Sequence, residues 1–177
     1  MPAHDVTALP YRVAVLCYLY DDAGCVLMLH RAQNPNMGMY SPIGGKVEVA
    51  RGESPHDAAA REIKEEVGLE MAAADLHLTG IVSESAYEGE HHWLIFLFEV
   101  MRPIQRAEIA NMQFKEGNLE WAKIEDVEGL DIPATDRQVM WPLVRAHRGG
   151  GFFMVHIDCS VEPMRWEVRE SHKRDPR

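Results

Sequence analysis

The sequence predicts a layered α/β or α+β domain rather than an all-parallel sheet. Three observations carry this. Apolar runs on either side of a turn signal open the chain, as in a hairpin. An amphipathic helix with a start and a stop signal lies at 54–68. The most hydrophobic stretch, HWLIFLFEV at His92–Val100, is short enough for a strand and has no helical period.

Taken in order, Tyr11–Leu19 is rich in aromatic, valine and leucine residues and reads as a strand. Asp21-Asp22-Ala23-Gly24 signals a turn, and Val26–Leu29 returns as a second strand, so residues 11–30 read as a hairpin. Asn34–Pro42 reads as a loop by its Pro, Gly and Asn content, and Gly44-Gly45 leads into Lys46-Val47-Glu48. The helix that follows has Ser54 as N-cap, Pro55 at its first position and Asp57 in its first turn; Gly68 stops it. Ala59, Ile63 and Val67 form its inward stripe.

Leu76–Val82 reads as a strand, and His92–Val100 as a central strand buried on both faces. Arg106–Gly117 is polar and loop-like, and Leu119–Ala122 is a short strand. A second helix is expected over Thr135–His147, with Val139, Leu143 and Val144 inward and Pro142 as a kink. Gly149-Gly150-Gly151 breaks the chain before a last strand, Phe152–Ile157. Beyond Ser160 the alternation of Trp166 and Val168 fits either an edge strand or a tail. At 177 residues, without repeats or linkers, the chain reads as a single domain.

Composition narrows the function classes. A net charge of -10 argues against a protein that wraps a nucleic-acid polymer, which needs a basic face. It leaves room for a small phosphorylated substrate whose charge a metal ion offsets. No run reaches the length of a membrane span, and Met-Pro-Ala-His-Asp lacks the features of a signal peptide. Cys17, Cys25 and Cys159 make neither a zinc pattern nor an even disulfide set, so buried free thiols in a cytoplasmic protein are expected.

The chemistry concentrates in Gly45–Leu69, GKVEVARGESPHDAAAREIKEEVGL. At three- and four-residue spacings Glu62, Glu65 and Glu66 are expected on one helix face, opposite Ala59, Ile63 and Val67. Each like-charged pair costs about 0.2–0.5 kcal/mol, and the acids lie in the last turns, where the helix dipole disfavours them. Arg61, paired with Glu65, and Lys64 offset part of this. A divalent cation would offset all of it, and hard ions favour such carboxylates. The competing reading, a solvated Glu/Lys/Arg face, has equal weight for the helix alone.

From Glu53 onward this stretch resembles the signature of the Nudix hydrolases, G-x5-E-x7-R-E-U-x-E-E-x-G-U with U aliphatic, through Arg61-Glu62-Ile63-Lys64-Glu65-Glu66-Val67-Gly68-Leu69. It departs from the signature in one place: seven residues rather than five separate Gly45 from Glu53, as if two were inserted around Val49-Ala50-Arg51. The resemblance implies an α/β/α sandwich around a mixed sheet. It implies hydrolysis of a phosphoanhydride in a nucleoside diphosphate linked to another group: a nucleoside triphosphate, a nucleotide sugar or a dinucleotide. It implies Mg2+, with Mn2+ as the alternative, held by Glu62, Glu65, Glu66 and the Gly45 carbonyl. Arg61 would orient the carboxylates and Glu53 would support them. Proton transfer falls to Glu65 or Glu66, with Glu116 as a candidate from outside the box. The partner is a small nucleotide, without polymer or membrane; a homodimer is compatible with the sequence.

Substrate contacts are expected from Lys46, Tyr40 and Asp136. Relatives that remove oxidised purine triphosphates carry Trp-Asn and Trp-Pro-Asp-Asp where this chain has Tyr40-Ser41 and Ile132-Pro133-Ala134-Thr135-Asp136. Asp136 either reads a purine edge or, the preferred reading, sits in a helical first turn that favours an acid. Met37, Met39 and Tyr40 fit base stacking and loop packing equally. Trp121 reads as core, and His91-His92 as a loop pair at a strand entrance. A nucleotide-sensing domain on the same fold is the rival; the complete acid set speaks against it and the insertion mildly for it.

Overall fold

A computed structural model describes residues 8–34 and 36–174. Pro35 of the expected loop, the N-terminal Met-Pro-Ala-His-Asp and the last three residues of the expected tail lie outside the described residues. Among the described residues, ten strands form two sheets. The larger has the order β10(Arg165–His172)-β9(Phe152–Asp158)-β5(Leu76–Tyr87)-β6(His91–Val100)-β1(Tyr11–Tyr18)-β4(Ile43–Lys46). It is mixed: β1 runs parallel to β6 and β5 parallel to β9, and the remaining pairs are antiparallel. The smaller, antiparallel sheet is β3(Tyr40–Ser41)-β2(Cys25–Arg31)-β8(Gly117–Lys123)-β7(Gln113–Phe114).

Strand alternation divides the core into two layers. Val15 and Cys17 of β1, with Phe98 of β6, face α1(Pro55–Val67), whose Ala58, Ala59, Ile63 and Val67 are buried against them. Tyr18, Ile95 and Leu97 point the other way, with Phe153, Val155 and Ile157 of β9, toward Trp141 and Val144 of α2(Trp141–His147). The expected sandwich around a mixed sheet is the fold observed, and His91–Val100 is an inner strand as read from its composition.

The opening hairpin is a correction. Around the turn the pairing is as expected, with Leu27 N–H donating to Leu19 O at 2.9 Å and a bridge between Tyr20 and Val26. Beyond it the strands enter different sheets, because both edges of β1 are already taken by β4 and β6. The expected loops at 34–42 and 106–117 also contain the short strands β3 and β7. The edge reading holds for the last segment: β10 pairs with β9 and is exposed throughout. Cys17 and Cys25 are buried free thiols, whereas Cys159 is only half-buried.

The first helix follows its signals. Asp57 N–H donates to Ser54 Oγ at 3.1 Å, and Gly68 closes the helix in the left-handed region at φ 79°. The second helix begins with a π-helical turn, Asp136–Met140, before α2. Trp141 N–H donates to Asp136 O, a five-residue step that widens the turn just before Pro142, which has no N–H to donate. The expected kink is therefore a π-turn. After α2 the glycine break is held from the sheet: Gly149 N–H donates to the buried Glu99 carboxylate at 2.9 Å.

Candidate active site

Sequence and fold converge where β4 meets α1. The guanidinium of Arg61 is the hub. Its Nε and Nη2 donate to the two oxygens of Glu53 at 2.8 and 3.0 Å, a bidentate pair. Its Nη1 donates to Glu62 Oε1 at 2.6 Å and to Glu65 Oε2 at 3.3 Å, and Nη2 also reaches Lys46 O at 3.1 Å. One cation thus ties the loop, the strand and three acids. These bonds hold the Glu53 carboxyl below its ordinary range, with the Glu48 N–H, 2.8 Å away, as a further cause. Both oxygens of Glu53 are thus engaged, by Arg61 and by the Glu48 N–H.

The two extra residues before Glu53 are absorbed locally. Val49–Arg51 form one 3-10 turn, closed by Gly52 in the left-handed region, and Arg51 pairs with Glu48 at 2.9 Å. The loop lengthens without moving Glu53 from its contacts with Arg61 and Glu48.

Glu66 corrects the expectation of one outward acidic face. It lies between Ala59 and Glu62 around the helix axis and is buried, with Oε2 accepting from Gly44 N–H at 3.0 Å. Burial pushes its carboxyl up to about 8, the nearby charges of Glu62 and Glu116 adding to the rise. Glu62 is also raised, first by burial, and Arg61 works against the rise. Glu65 is exposed. The acids therefore form a graded arc from buried to open rather than a face opposite the apolar stripe.

Two glycines let this arc close on the backbone. A Cβ on residue 45 would lie 2.5 Å from Glu62 Oε1, so only glycine lets that carboxylate sit against the strand. A Cβ on residue 44 would lie 2.1 Å from Val15 O. Lys46 follows, exposed beside the acids. Glu116, in the turn between β7 and β8, acts on both Glu62 and Glu66 through its charge. No periodicity marks it; only its place before Gly117, where a Cβ would meet His30 O at 2.1 Å, hints at a constrained turn.

Among the described residues no three His, Cys, Asp or Glu side chains are preset around one point as a metal cage. The donor set nevertheless fits a hard divalent cation: Glu62, Glu66 and Glu116 bring carboxylate oxygens within electrostatic reach of one another, two of them partly desolvated. Arg61 is paired with both Glu62 and Glu65.

Tyr40 and Asp136 are not brought into this cluster by any direct contact. The Tyr40 ring stacks on His30 at 4.5 Å, and its hydroxyl donates to Glu120 at 2.8 Å. Asp136 belongs to the opposite layer: neighbouring residues of β1 separate the two groups, Cys17 facing Glu62 and Glu66 while Tyr18 faces Asp136. Beside Asp136 stands Glu84 of β5, a buried acid that sequence reading missed. Trp121 is half-buried against the first core layer, and His92 accepts from Ala86 N–H at 3.1 Å across the turn between β5 and β6.

Proteins of known structure share this fold. The NUDIX domain family model matches residues 10–146. The mutator MutT protein of Bacillus halodurans is 25% identical, with a TM-score of 0.68 over 89% of this chain and 97% of that one. The MutT protein of Methanosarcina mazei Go1 is 24% identical, with a TM-score of 0.64 over 80% and 98%. The dihydroneopterin triphosphate pyrophosphohydrolase of Escherichia coli is 25% identical, with a TM-score of 0.57 over 77% and 96%.

Proposed function

The chain belongs to the NUDIX domain family as a Nudix-type pyrophosphohydrolase, and from that premise we propose that it cleaves a nucleoside triphosphate to the monophosphate and pyrophosphate with the help of Mg2+. The observation that carries the reading is the Arg61 hub, which holds Glu53, Glu62 and Glu65 beside Gly45 while Glu66 is fixed on Gly44 N–H. A sensor has no use for so complete an acid set. The triphosphate is preferred over a nucleotide sugar because the Escherichia coli enzyme, 25% identical, acts on one by its name.

Glu62, Glu65, Glu66 and Glu116 are the residues proposed to hold the cation, with the Gly45 carbonyl. When bound it would neutralise phosphate charge and activate water for attack at phosphorus. The chain's own residues do the rest. Arg61 keeps Glu62 from rotating away, and Glu53 keeps Arg61 in place. Lys46, exposed at the rim, meets the phosphates. Proton acceptance is assigned to Glu65 or Glu66: Glu65 can pass a proton to solvent, whereas Glu66 is fixed and already inclined to hold one.

The test is release of pyrophosphate from a nucleotide panel that includes oxidised purine triphosphates, with Mg2+, with Mn2+ and with neither. Metal-dependent turnover is expected, and Glu65→Gln or Glu66→Gln should abolish it with the fold intact. Wild-type turnover in either variant removes that residue from the mechanism. Tight nucleotide binding without turnover on any substrate would replace the enzyme by the sensor.

A further inference from the structure

The far edge of the larger sheet is open. Among the described residues β10 ends it, at the opposite side from β4 and the Arg61 hub, and all eight of its residues are exposed. Both β9 and β10 lie beyond residues 10–146, the stretch that matches the family model. The strand is nevertheless fixed in place. It is registered on β9 from Arg165 opposite Asp158 to His172 opposite Phe152. Ser171 Oγ and His147 Nε2 of α2 share a hydrogen bond at 2.8 Å, and Arg174 Nη1 donates to Gly149 O at 3.0 Å. An edge strand held in this way presents a row of backbone N–H and C=O groups ready to pair with another strand.

Residues directly opposite on neighbouring strands share a face. Trp166 stands opposite Ile157 and Val168 opposite Val155, and both of these β9 residues are buried in the second core layer. Trp166 and Val168 carry that apolar layer out past its cover, where they are 48% and 42% exposed. Met164, just before the strand, packs against the same layer. Arg165 and Glu167 take the other face, opposite Asp158 and His156. A bulge after Val168 ends the regular stretch. Charges guard many edges against a second strand. Here the two charges have opposite sign and lie two residues apart, which repels a parallel in-register copy and suits an antiparallel one.

We propose that β10 pairs antiparallel with β10 of a second copy of this chain, about a two-fold axis at Trp166, so that two six-stranded sheets join into one. Charge and shape select the register. With Trp166 on the axis it meets Trp166 of the partner subunit, Arg165 meets Glu167 of the partner subunit, and Met164 meets Val168 of the partner subunit. Symmetry repeats the last two matches, and all of them fall before the bulge. Arg165 or Glu167 on the axis would set like charges together, and Val168 on the axis would carry the pairing into the bulge. A two-fold contact must be self-complementary, and this stretch is so in one register. Opposite charges and apolar or aromatic side chains directly across strands favour pairing, whereas like charges oppose it. The pair of Glu167 with Arg169 in the same chain, at 3.0 Å, is exposed and competes little. A single strand pair is a small contact beside the about 800 Å2 per partner of a standard interface, so the association is reversible. The proposal does not rest on the hydrolase reading.

Sedimentation velocity of the full chain, from about 1 μM to about 1 mM, tests it. The wild type should pass from the mass of one chain to that of two and stop there, since a two-fold contact closes on itself. Arg165→Glu and Glu167→Arg, each alone, place like charges opposite each other at both ends of the contact and should raise the dissociation constant about ten-fold or more. The double variant Arg165→Glu/Glu167→Arg regains opposite signs and should dimerise like the wild type. Mixing the two single variants brings an edge with two acids against an edge with two bases, and a mixed dimer should form more tightly than either variant forms with itself. All these positions are exposed, and thermal melting confirms that each variant is folded. A wild type that stays monomeric throughout, growth beyond two chains, or a dimer unchanged by both single reversals would overturn the proposal. So would a double variant as weak as the single ones, or single variants that do not associate on mixing.

Discussion

Substituting alanine for Gly45 separates the chemistry of the hub from its stability. The new Cβ would stand 2.5, 2.6 and 2.7 Å from the three atoms of the Glu62 carboxyl group. Ordinary carbon contacts lie near 3.5–4.0 Å, so that carboxylate must retreat by about 1 Å. It is the end of a flexible side chain, so the backbone need not move, and no left-handed φ stands in the way. The retreat strains the 2.6 Å bond from Arg61 and shifts an acid proposed to hold the cation. A misplacement of about 1 Å costs on the order of 100-fold in rate, or about 2.7 kcal/mol of barrier. The assay is kcat/KM for pyrophosphate release beside a thermal melt. Gly45→Ala should lose about two orders of magnitude in rate with a melting temperature near wild type. Gly44→Ala is the contrast, since its Cβ would meet the Val15 carbonyl oxygen at 2.1 Å at a φ of 155°, and it should lose stability as well as rate. Near-wild-type turnover by Gly45→Ala, or a loss of stability matching that of Gly44→Ala, would refute the reasoning.

Arg61→Lys keeps the charge and removes the fork that grips both oxygens of Glu53; kcat should fall at least ten-fold with KM little changed, read from steady-state kinetics. Ser54→Ala removes the acceptor for Asp57 N–H and should cost about 1 kcal/mol in denaturant unfolding while turnover is kept. Glu84→Gln should stabilise the protein at alkaline pH. The folded carboxyl is raised to about 8, so its cost is absent below the unfolded pKa near 4.5 and grows as pH rises from there to 8. Melting curves of the variant should therefore be flatter across that window; parallel curves would count against the buried acid.

What sequence reading resolves here is what depends on local order. Ser54, Pro55 and Gly68 mark helix ends through bonds made within a few residues, and the helix runs between them. The near-continuous apolar run of β6 places it inside the larger sheet for the same reason. The hairpin fails because pairing is a competition among distant strands, and β4 and β6 win both edges of β1. Glu66 is misread because seven-residue spacing brings it round toward Ala59, so a residue that pattern places among solvent-facing acids is turned inward onto Gly44. Glu84 is illegible altogether. A glutamate in an alternating strand reads as solvent-facing, and only the packing of the second helix over β5 turns that position into an interior one.

The two buried acid groups, on either side of β1, differ in what relieves them. Glu62 and Glu66 sit behind an arginine that already neutralises their neighbours, with Glu116 near and Gly45 open beside them. Added positive charge would relieve the raised carboxyls on that side. Glu84 and Asp136 have no arginine among the groups that shift them; their charges fall on Thr135, Tyr18, Tyr87 and one another. Relief on that side comes from retained protons. β1 thus separates an acid group gathered around an arginine from one with no arginine among the groups that shift it.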